Sequence, residues 1–252
     1  QHHVMLRHLG LAGKVVIIDE AHSFEMYMES FLERALEWLG TYHAPVIVLS
    51  ATLPQKRRFD LIKAYLGKKD MDENADWCNT AGYPLFTWTD GEQVCQKQMS
   101  LGVEKDIIQV IRSKDEECMD ILKNSLKDGG CAGIILNTVA RAQDFAQKLS
   151  ECFPECEMIQ MHSQFIISDR AEIEREILKR AGKNSTPEQR NKLIIVGTQV
   201  LEQSLDIDFD VMITDLCPMD LLLQRIGREH RHKGRKRPLC LQKAKCYVLT
   251  ET

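Results

Sequence analysis

Short aliphatic runs, separated by longer amphipathic stretches, constrain the fold of this 252-residue chain more than any other feature. The runs occupy residues 14–18, 45–49, 131–136, 157–161, 192–196, 211–214 and 246–249. A strand that is buried on both faces of a parallel sheet has a continuous apolar sequence of this kind. Strands that alternate with helical patterns indicate a sheet covered by helices on both faces. We therefore predict an α/β fold with two parallel sheets.

The stretches between the runs predict the helices. One apolar stripe recurs at helical spacing, and we expect it to face the core of a helix that ends at Gly40. Its members are Phe24, Tyr27, Met28, Phe31, Leu32, Ala35 and Leu39. Residues 55–66 predict a second helix, and Gly67 supplies its stop signal because glycine readily adopts a left-handed backbone.

Two further segments differ in how strongly they predict structure. Asp169 and Glu172 have the spacing of a capping box, which predicts a helix that starts there and ends at Gly182. The polar segment 68–91 has no clear periodicity, so we predict irregular structure there. These expectations complete two α/β domains, with residues 1–88 in the first and residues 89–252 in the second.

Composition indicates a globular protein of the cytoplasm. The longest apolar runs have five to seven residues, well short of a membrane-spanning helix, and the first residues have no signal-peptide pattern. The start resembles an internal cut in a longer chain. Nine cysteines without a Cys-x-x-Cys pair favour reduced thiols over a disulfide framework or a zinc site.

Charge is informative only locally. The net charge of −4 excludes binding of nucleic acid through a general positive charge, so any such contacts must come from a local patch. Between Arg225 and Arg237 there are seven Arg or Lys residues together with His230 and His232. This segment predicts a patch that attracts phosphates, although a solvated tail would have the same composition.

Acidic residues follow the first aliphatic run, in the sequence Asp19-Glu20-Ala21-His22. Ligands of open α/β sheets gather at the carboxyl ends of the strands, so these acids are expected at a reactive edge. One carboxylate can hold Mg²⁺ through water while its neighbour orients an attacking water. An ordinary capping pair is the alternative. The second run is followed by Ser50-Ala51-Thr52 at the equivalent place.

Regularly spaced arginines near the other end of the chain indicate phosphate chemistry. If residues 220–229 are helical, Gln224, Arg228 and Arg231 lie on neighbouring turns. Guanidinium groups so placed can stabilise charge on a transferring phosphoryl group. A solvated basic helix end is the alternative.

These motifs together resemble the helicases of the second superfamily, in which DEAH, Ser-Ala-Thr and Gln-x-x-Gly-Arg-x-x-Arg follow one another. Three longer segments narrow the resemblance to the helicase–nuclease family of type I CRISPR effector systems. They begin at Gly133, Met161 and Thr198, and the last ends in Leu-Asp-Ile-Asp-Phe-Asp. The resemblance covers nearly the whole chain and is most specific from Asn137 onward.

The resemblance implies two RecA-like domains, the first truncated at its N-terminus, with ATP and Mg²⁺ as cofactors. It implies that Asp19 holds the metal, that Glu20 activates water, and that His22, Ser50 and Thr52 couple the nucleotide state to the domain interface. The implied nucleotide contacts are Asp206, Gln224 and Arg228, with Arg231 as arginine finger. The implied single-strand track consists of Asn137, Thr138, His162, Arg170 and Thr198. For these five residues a loop or capping role is the open alternative.

Two elements that accompany such motors are absent from the sequence. The phosphate-binding loop has no match, since Gly10-Leu-Ala-Gly13-Lys14-Val15 has the wrong spacing. No His-Asp doublet of a metal nuclease occurs. We therefore expect the loop in an upstream part of the same polypeptide, and we expect this chain alone to be inactive.

The resulting functional hypothesis is the motor portion of an ATP-dependent single-strand DNA translocase in CRISPR interference, working with a guide-RNA surveillance complex. A generic DEAH-type RNA helicase and a non-catalytic binding fragment are the alternatives. Two positions depart from the family pattern: Gln164 replaces a usual Arg, and Glu229 replaces a usual apolar residue. Glu229 is expected either to pair with Arg225 or Lys233 or to weaken the field at the phosphates.

Overall fold

The computed structural model describes residues 10–11, 13–21, 26–51, 53–68, 70–91, 93–100, 107–202 and 205–250. The chain divides into two compact units, Gln1–Glu104 and Lys105–Thr252. In the described parts, the longest helix has 16 residues and no helix is long and apolar enough to cross a membrane. Each unit is described by itself below.

The first unit contains a parallel pair of short strands and two helices. Strand β1 (Val16–Ile18) pairs in register with β2 (Val46–Val48), and helix α1 (Met26–Thr41) connects them. Helix α2 (Gln55–Leu66) follows and ends as predicted, with Gly67 in the left-handed region at φ 64°. Gly40 allows α1 and α2 to approach closely, because a Cβ there would lie 1.8 Å from the carbonyl oxygen of Tyr65.

The apolar stripe predicted for α1 is only partly core. Leu32 and Leu39 are buried, and Leu32 packs with Leu36 and Leu61 beneath the strand pair. Met28 and Phe31 are 48% and 55% exposed, so the buried face is rotated from the predicted one towards Leu36. Phe24 lies outside the described residues, as does the side chain of Tyr27.

A hairpin begins within the segment 68–91, which was expected to be irregular, and its second strand lies just beyond that segment. Strand β3 (Leu85–Asp90) pairs antiparallel with β4 (Gln93–Gln98). The sequence signal was weak because both strands are only half-buried and mix polar with apolar residues. The predicted division after residue 88 falls inside β3, whereas the compact units divide after Glu104, because the cross-strand hydrogen bonds keep both strands in the first unit.

The second unit is a six-stranded sheet in which every described pairing is parallel. Its strands are β5 (Gln109–Ser113), β6 (Cys131–Ile135), β7 (Glu157–Met161), β8 (Leu193–Gly197), β9 (Val211–Asp215) and β10 (Lys245–Leu249), in the order β5-β10-β9-β6-β8-β7. Its helices are α3 (Cys118–Leu126), α4 (Val139–Cys152), α5 (Ile167–Ala181) and α6 (Met219–Ile226). The prediction of a parallel α/β sheet is confirmed, and β5 is the strand it missed.

The core of this unit lies on both faces of the sheet. Ile134 of β6 belongs to one buried cluster with Leu122 and Leu149, whereas its neighbour Ile135 belongs to a second cluster with Ile177. Successive side chains of a strand point to opposite faces, so a strand that is apolar throughout is covered on both. This arrangement leaves the carboxyl edge of the sheet as the place for polar groups.

Two details of the second unit differ from expectation. Helix α5 begins at Ile167, two positions before Asp169. The N-cap residue that precedes it, Ile166, provides no side-chain cap. The Asp169 carboxylate instead accepts a hydrogen bond from the Ser168 hydroxyl at 3.1 Å, so no capping box forms. All nine cysteines are free thiols, as predicted, with Cys152 exposed and Cys156 packed partly against the core.

Candidate functional site

The acidic motif and the Ser-Ala-Thr motif lie side by side in the first unit. Beyond the paired strands, the backbone N–H of Leu49 donates to the carbonyl of Ile18 at 2.8 Å, and the N–H of Ala21 donates to the carbonyl of Leu49 at 3.1 Å. Asp19 and Glu20 therefore leave β1 next to the position where Ser50 leaves β2. The parallel pairing brings together two motifs that are about thirty residues apart in sequence.

The backbone at the acidic motif has an unusual conformation. Glu20 has φ 54°, in the left-handed region, and its N–H is held by the Asp19 Oδ1 at 2.9 Å. A non-glycine residue with positive φ is costly and is found preferentially at functional sites. Both carboxylates are exposed, as metal and water chemistry would require.

The metal assignment remains a prediction. Among the described residues, no group of three or more His, Cys, Asp or Glu side chains could hold a metal ion. A single carboxylate fits Mg²⁺ that keeps most of its water and binds phosphates, since this ion is rarely enclosed by protein ligands alone. His22 and Thr52 lie outside the described residues.

The arginine motif of the second unit is not one continuous helix. Helix α6 ends at Ile226, and Arg228 and Arg231 lie on the turn that follows Gly227. The Arg228 Nη1 and Nη2 atoms donate to the carbonyl oxygens of Leu205 and Glu202 at 2.5 and 2.7 Å. The assumed helical span 220–229 is therefore too long, because α6 ends at Ile226 and Arg228 binds backbone carbonyls of a neighbouring loop.

Gln224 lies on α6 and is half-buried. Its Nε2 atom is buried and has no hydrogen-bond partner among the described residues. A buried amide donor without a partner is energetically unfavourable, so it is a reasonable place for a ligand acceptor. Its predicted contact with nucleotide remains a prediction.

Three alternating aspartates neutralise much of the basic segment. Asp206 Oδ1 binds Arg231 Nε at 2.8 Å, and hydrogen bonds from His232 and Arg231 hold the pKa of Asp206 below its ordinary value. Asp208 binds both Arg235, at 2.6 Å, and Arg237, at 2.8 Å.

Asp210 completes this set, which we call the aspartate ladder (Asp206, Asp208 and Asp210). It forms ion pairs with Arg190, at 2.9 Å, and with Arg237. The side chains of Arg235 and Arg237 are only 8% and 6% exposed. The segment 225–237 is thus neither a uniform phosphate patch nor a solvated tail, because its arginines are largely buried in ion pairs.

Apolar and acidic residues alternate in the segment 205–210, and this sequence pattern could have predicted the buried ion pairs. Leu205, Ile207 and Phe209 are buried on one side of the segment, so the intervening aspartates point together to the other side. Two of the aspartates are themselves fully enclosed, and a buried carboxylate requires a partner. Arg190 upstream and the arginines downstream supply that positive charge.

Arg225 is a functional candidate that sequence reasoning missed. It is fully buried, and its Nε donates to Glu202 Oε1 at 2.7 Å. Its Nη1 donates to the Thr214 hydroxyl at 2.7 Å and its Nη2 to Asn137 Oδ1 at 3.1 Å. Burial raises the pKa of Glu202, although Arg225 partly opposes this effect. Arg225 therefore joins the arginine motif to the first predicted track residue.

The predicted track residues lie at the carboxyl edge of the sheet. Asn137 and Thr138 follow β6, His162 follows β7 and Thr198 follows β8, as the parallel topology requires. The Asn137 Nδ2 donates to the Leu216 carbonyl at 2.9 Å. The Thr138 hydroxyl accepts the Arg141 N–H at 3.3 Å, which is the capping role left open above.

The other track candidates differ in exposure. His162 is 4% exposed and stacks on Phe165 with ring centroids 4.3 Å apart, and burial lowers its pKa. Thr198 is also buried. Arg170 is exposed on α5 and pairs with Glu174 at 2.8 Å. Whether any of these five positions contacts a strand remains a prediction.

The two departures from the family pattern have different surroundings. Gln164 is exposed, and its backbone N–H donates to His162 Nδ1 at 3.3 Å. Glu229 is buried, and its Oε1 accepts the backbone N–H of Lys245 at the start of β10. Of the two expected roles, pairing with Arg225 does not occur among the described residues, because Arg225 pairs with Glu202 instead. Burial raises its pKa to about 8.

Comparison with known proteins agrees with this geometry. Residues 128–234 match the family model described as CRISPR-associated nuclease/helicase Cas3, C-terminal. The CRISPR-associated nuclease/helicase Cas3 of Streptococcus thermophilus is 47% identical over 253 residues, which span 99% of this chain and 27% of that protein. The chain thus spans about a quarter of the length of this curated relative.

Solved structures also match this chain. The crystal structure of T. fusca Cas3 with AMPPNP matches with a TM-score of 0.89 and 34% identity, over 99% of this chain and 31% of the other. A CRISPR RNA-guided surveillance complex in a pre-nicking state contains a chain that matches with a TM-score of 0.88 and 34% identity, over 99% of this chain and 33% of that one.

The parallel sheets and the ordered motifs at their carboxyl edges place the chain in the class of second-superfamily helicases. More narrowly, the chain belongs to the family of CRISPR-associated Cas3 nuclease/helicases.

Proposed function

We propose that this chain is the motor portion of an ATP-dependent single-strand DNA translocase that acts in CRISPR interference in the cytoplasm. In this proposal, Asp19 holds Mg²⁺ and Glu20 orients the attacking water. Asp206 and Gln224 contact the nucleotide. Arg228 anchors the turn after α6 through its bonds to backbone carbonyls, and Arg231 stabilises charge on the transferring phosphoryl group. Ser50, with His22 and Thr52, passes the nucleotide state on to the strand-binding residues.

The single observation that carries the proposal is the pairing of the two motifs in the first unit. Exposed carboxylates at the end of β1, a strained Glu20 and a neighbouring Ser50 support this proposal, because metal-assisted hydrolysis of a phosphoanhydride uses one carboxylate at the metal and another to orient water. The relative solved with AMPPNP supports nucleotide binding at such a site. The match to a chain of a surveillance complex supports a guide-RNA complex as partner.

The proposal also explains why Arg231 is exposed while most of its neighbours are buried. Its side chain remains 43% exposed, and its partner Asp206 is 53% exposed. A surface ion pair contributes little to stability, so exchanging it for a phosphate contact costs little. Buried Arg225 and Arg237 could not make that exchange.

The decisive experiment replaces Glu20 by Gln in the full-length protein. We expect strand-stimulated ATP hydrolysis to be lost while ATP binding persists, since an amide keeps the shape but cannot act as a base. The exposed loop residue Glu73, replaced by Gln, is the matched control for loss of one carboxylate in the same unit. Hydrolysis at the wild-type rate by the Glu20 variant would contradict the assignment.

A second experiment tests the arginine. Arg231→Ala should lower kcat by about 10³ or more, with a much smaller effect on strand affinity, because arginine fingers act on the transition state. Thr198→Ala should show the opposite pattern if Thr198 contacts a strand phosphate. Loss of strand binding with full turnover in the Arg231 variant would instead favour a non-catalytic binding role.

A third experiment compares DNA and RNA single strands as activators of ATP hydrolysis. The described track candidates offer hydroxyl, amide and backbone groups, which hold phosphates without reading bases. Stimulation of ATP hydrolysis by deoxy but not ribo single strands would support the proposal. The reverse result would favour a DEAH-type RNA helicase, since the 2′-hydroxyl is what distinguishes the two strands.

A further inference from the structure

A second concentration of positive charge is formed by side chains that the nucleotide and strand assignments do not use. Residues of the loop 182–190 and the turn 233–236 line an open cavity of about 270 Å³ in the second unit. We call it the basic cavity. Its charged lining residues in the described part of the chain are all cations, namely Lys183, Arg190, Lys233, Arg235 and Lys236.

The floor of the basic cavity is built from buried arginines. Arg190 is 3% exposed, and its Nη2 is fixed by Asp210 at 2.9 Å. Its Nη1 atom is buried and has no hydrogen-bond partner among the described residues. A buried guanidinium donor that lacks an acceptor is unfavourable, and Arg190 lines the cavity, so an anion bound there is a candidate acceptor.

Arg235 is held rigidly beside Arg190. Its Nη1 donates to the Ser185 carbonyl and hydroxyl at 3.0 and 2.8 Å, and its Nη2 donates to the Gly182 carbonyl at 2.9 Å. These bonds fasten the loop 182–190 onto the turn 233–236. The cavity is therefore preformed, so binding would require little ordering of the chain.

The positive charge of the cavity is not fully compensated. Asp208 and Asp210 are the two buried carboxylates that pair with its arginines, and both also pair with Arg237. Three buried arginines thus share two carboxylates. Burial and the nearby charge of Arg190 lower the pKa of Arg235, as expected for crowded cations. The exposed Lys183 and Lys236 add positive charge at the rim.

We propose that the basic cavity is a phosphate-binding site. Arginine offers fixed donors and lysine a mobile point charge, and the two together suit the oxygens of a phosphate group. The cavity is larger than one phosphate, so the group can belong to a longer molecule. A phosphodiester of a nucleic-acid strand and a free phosphate or pyrophosphate ion share this chemistry. The proposal does not rest on the motor function.

The test uses the full-length protein with both Lys183 and Lys236 replaced by Gln. These side chains are exposed, so the fold should be unaffected, and circular dichroism can verify this. The matched control replaces Lys123 and Lys148, two exposed lysines on α3 and α4 of the same unit. Basal ATP hydrolysis without a strand should be unchanged in both variants, so a failure here is separable from a failure of the Glu20 experiment.

Two binding measurements distinguish the sources of phosphate. The first is anisotropy of a labelled single-strand oligonucleotide, titrated between about 50 and 200 mM salt. If a strand occupies the cavity, the Lys183/Lys236 variant should bind more weakly, with a salt slope smaller by about 0.7 for each phosphate that the lysines no longer neutralise. The control variant should match the wild type.

The second measurement is calorimetric titration with pyrophosphate at constant ionic strength. Loss of this binding in the Lys183/Lys236 variant, with unchanged strand binding, would assign the cavity to a small phosphorylated molecule. Either result supports the site. If the variant equals the wild type in both titrations, the basic cavity is not a phosphate site and the inference is overturned.

Discussion

Replacement of Glu229 by Gln should stabilise the second unit, and increasingly so at higher pH. The Glu229 side chain is 3% exposed, its Oε1 accepts the Lys245 N–H, and its Oε2 is buried without a hydrogen-bond partner among the described residues. Burial raises its pKa from the ordinary 4.5 to about 8; Arg237 lowers it in part, and Asp208 and Asp210 raise it. The folded protein therefore holds this carboxyl group in its neutral form at neutral pH.

The sign of the effect follows from the proton count. Between pH 4.5 and 8 the unfolded chain has released this proton and the folded chain has kept it, so wild-type stability falls as pH rises through that window. Each factor of ten in proton affinity is worth about 1.4 kcal/mol, which sets a ceiling of about 5 kcal/mol above pH 8. From pH 6 to pH 9 the loss is about 3 kcal/mol.

Glutamine removes this loss, because its amide oxygen can still accept the Lys245 N–H and it does not titrate. Scanning calorimetry of both full-length proteins at pH 6 and pH 9 measures the difference. We expect the Tm advantage of Glu229→Gln to grow by about 5 to 10 °C over that range. Glu172→Gln, on the exposed face of α5, controls for the loss of a carboxylate. An advantage that is the same at both pH values would refute the reasoning.

Two further predictions concern the core of the second unit. Arg225→Met should destabilise the second unit by about 3 to 5 kcal/mol, because Glu202 is left buried and unpaired. The double variant Arg225→Met, Glu202→Leu should recover most of that stability. A double-mutant cycle built from Tm values measures both effects. Gly133→Ala should lower the free energy of unfolding by about 1 to 3 kcal/mol, since the new Cβ would lie 2.4 Å from the Phe209 ring. An unchanged Tm would mean that this ring moves aside freely.

The sequence predicted the parallel sheets well because buried strands have an unmistakable composition. The predicted range 157–161 coincides with β7, the run 131–136 extends one residue beyond β6, and the run 192–196 is displaced by one residue from β8. The hairpin and β5 were missed because their residues are half-exposed and mixed in polarity, which removes the periodic signal.

The candidate site was predictable in location but not in bonding. The order of motifs placed Asp19 and Ser50 at one edge, since parallel strands end together. Which arginines are exposed could not be derived, because the burial of Arg225 depends on Glu202 and on Asn137, 88 positions away. Local spacing carries no information on such distant partners.

The aspartate ladder ties residues 206–210 to residues 231–237 through one exposed ion pair, at Asp206, and through buried ion pairs at Asp208 and Asp210. A change of charge in either segment leaves its partner in the other segment unpaired. The two segments should therefore vary together among relatives. Chimeras between relatives should tolerate crossover points before residue 206 or after residue 237, whereas a junction between these positions would combine acids from one parent with bases from another and yield poorly folded protein.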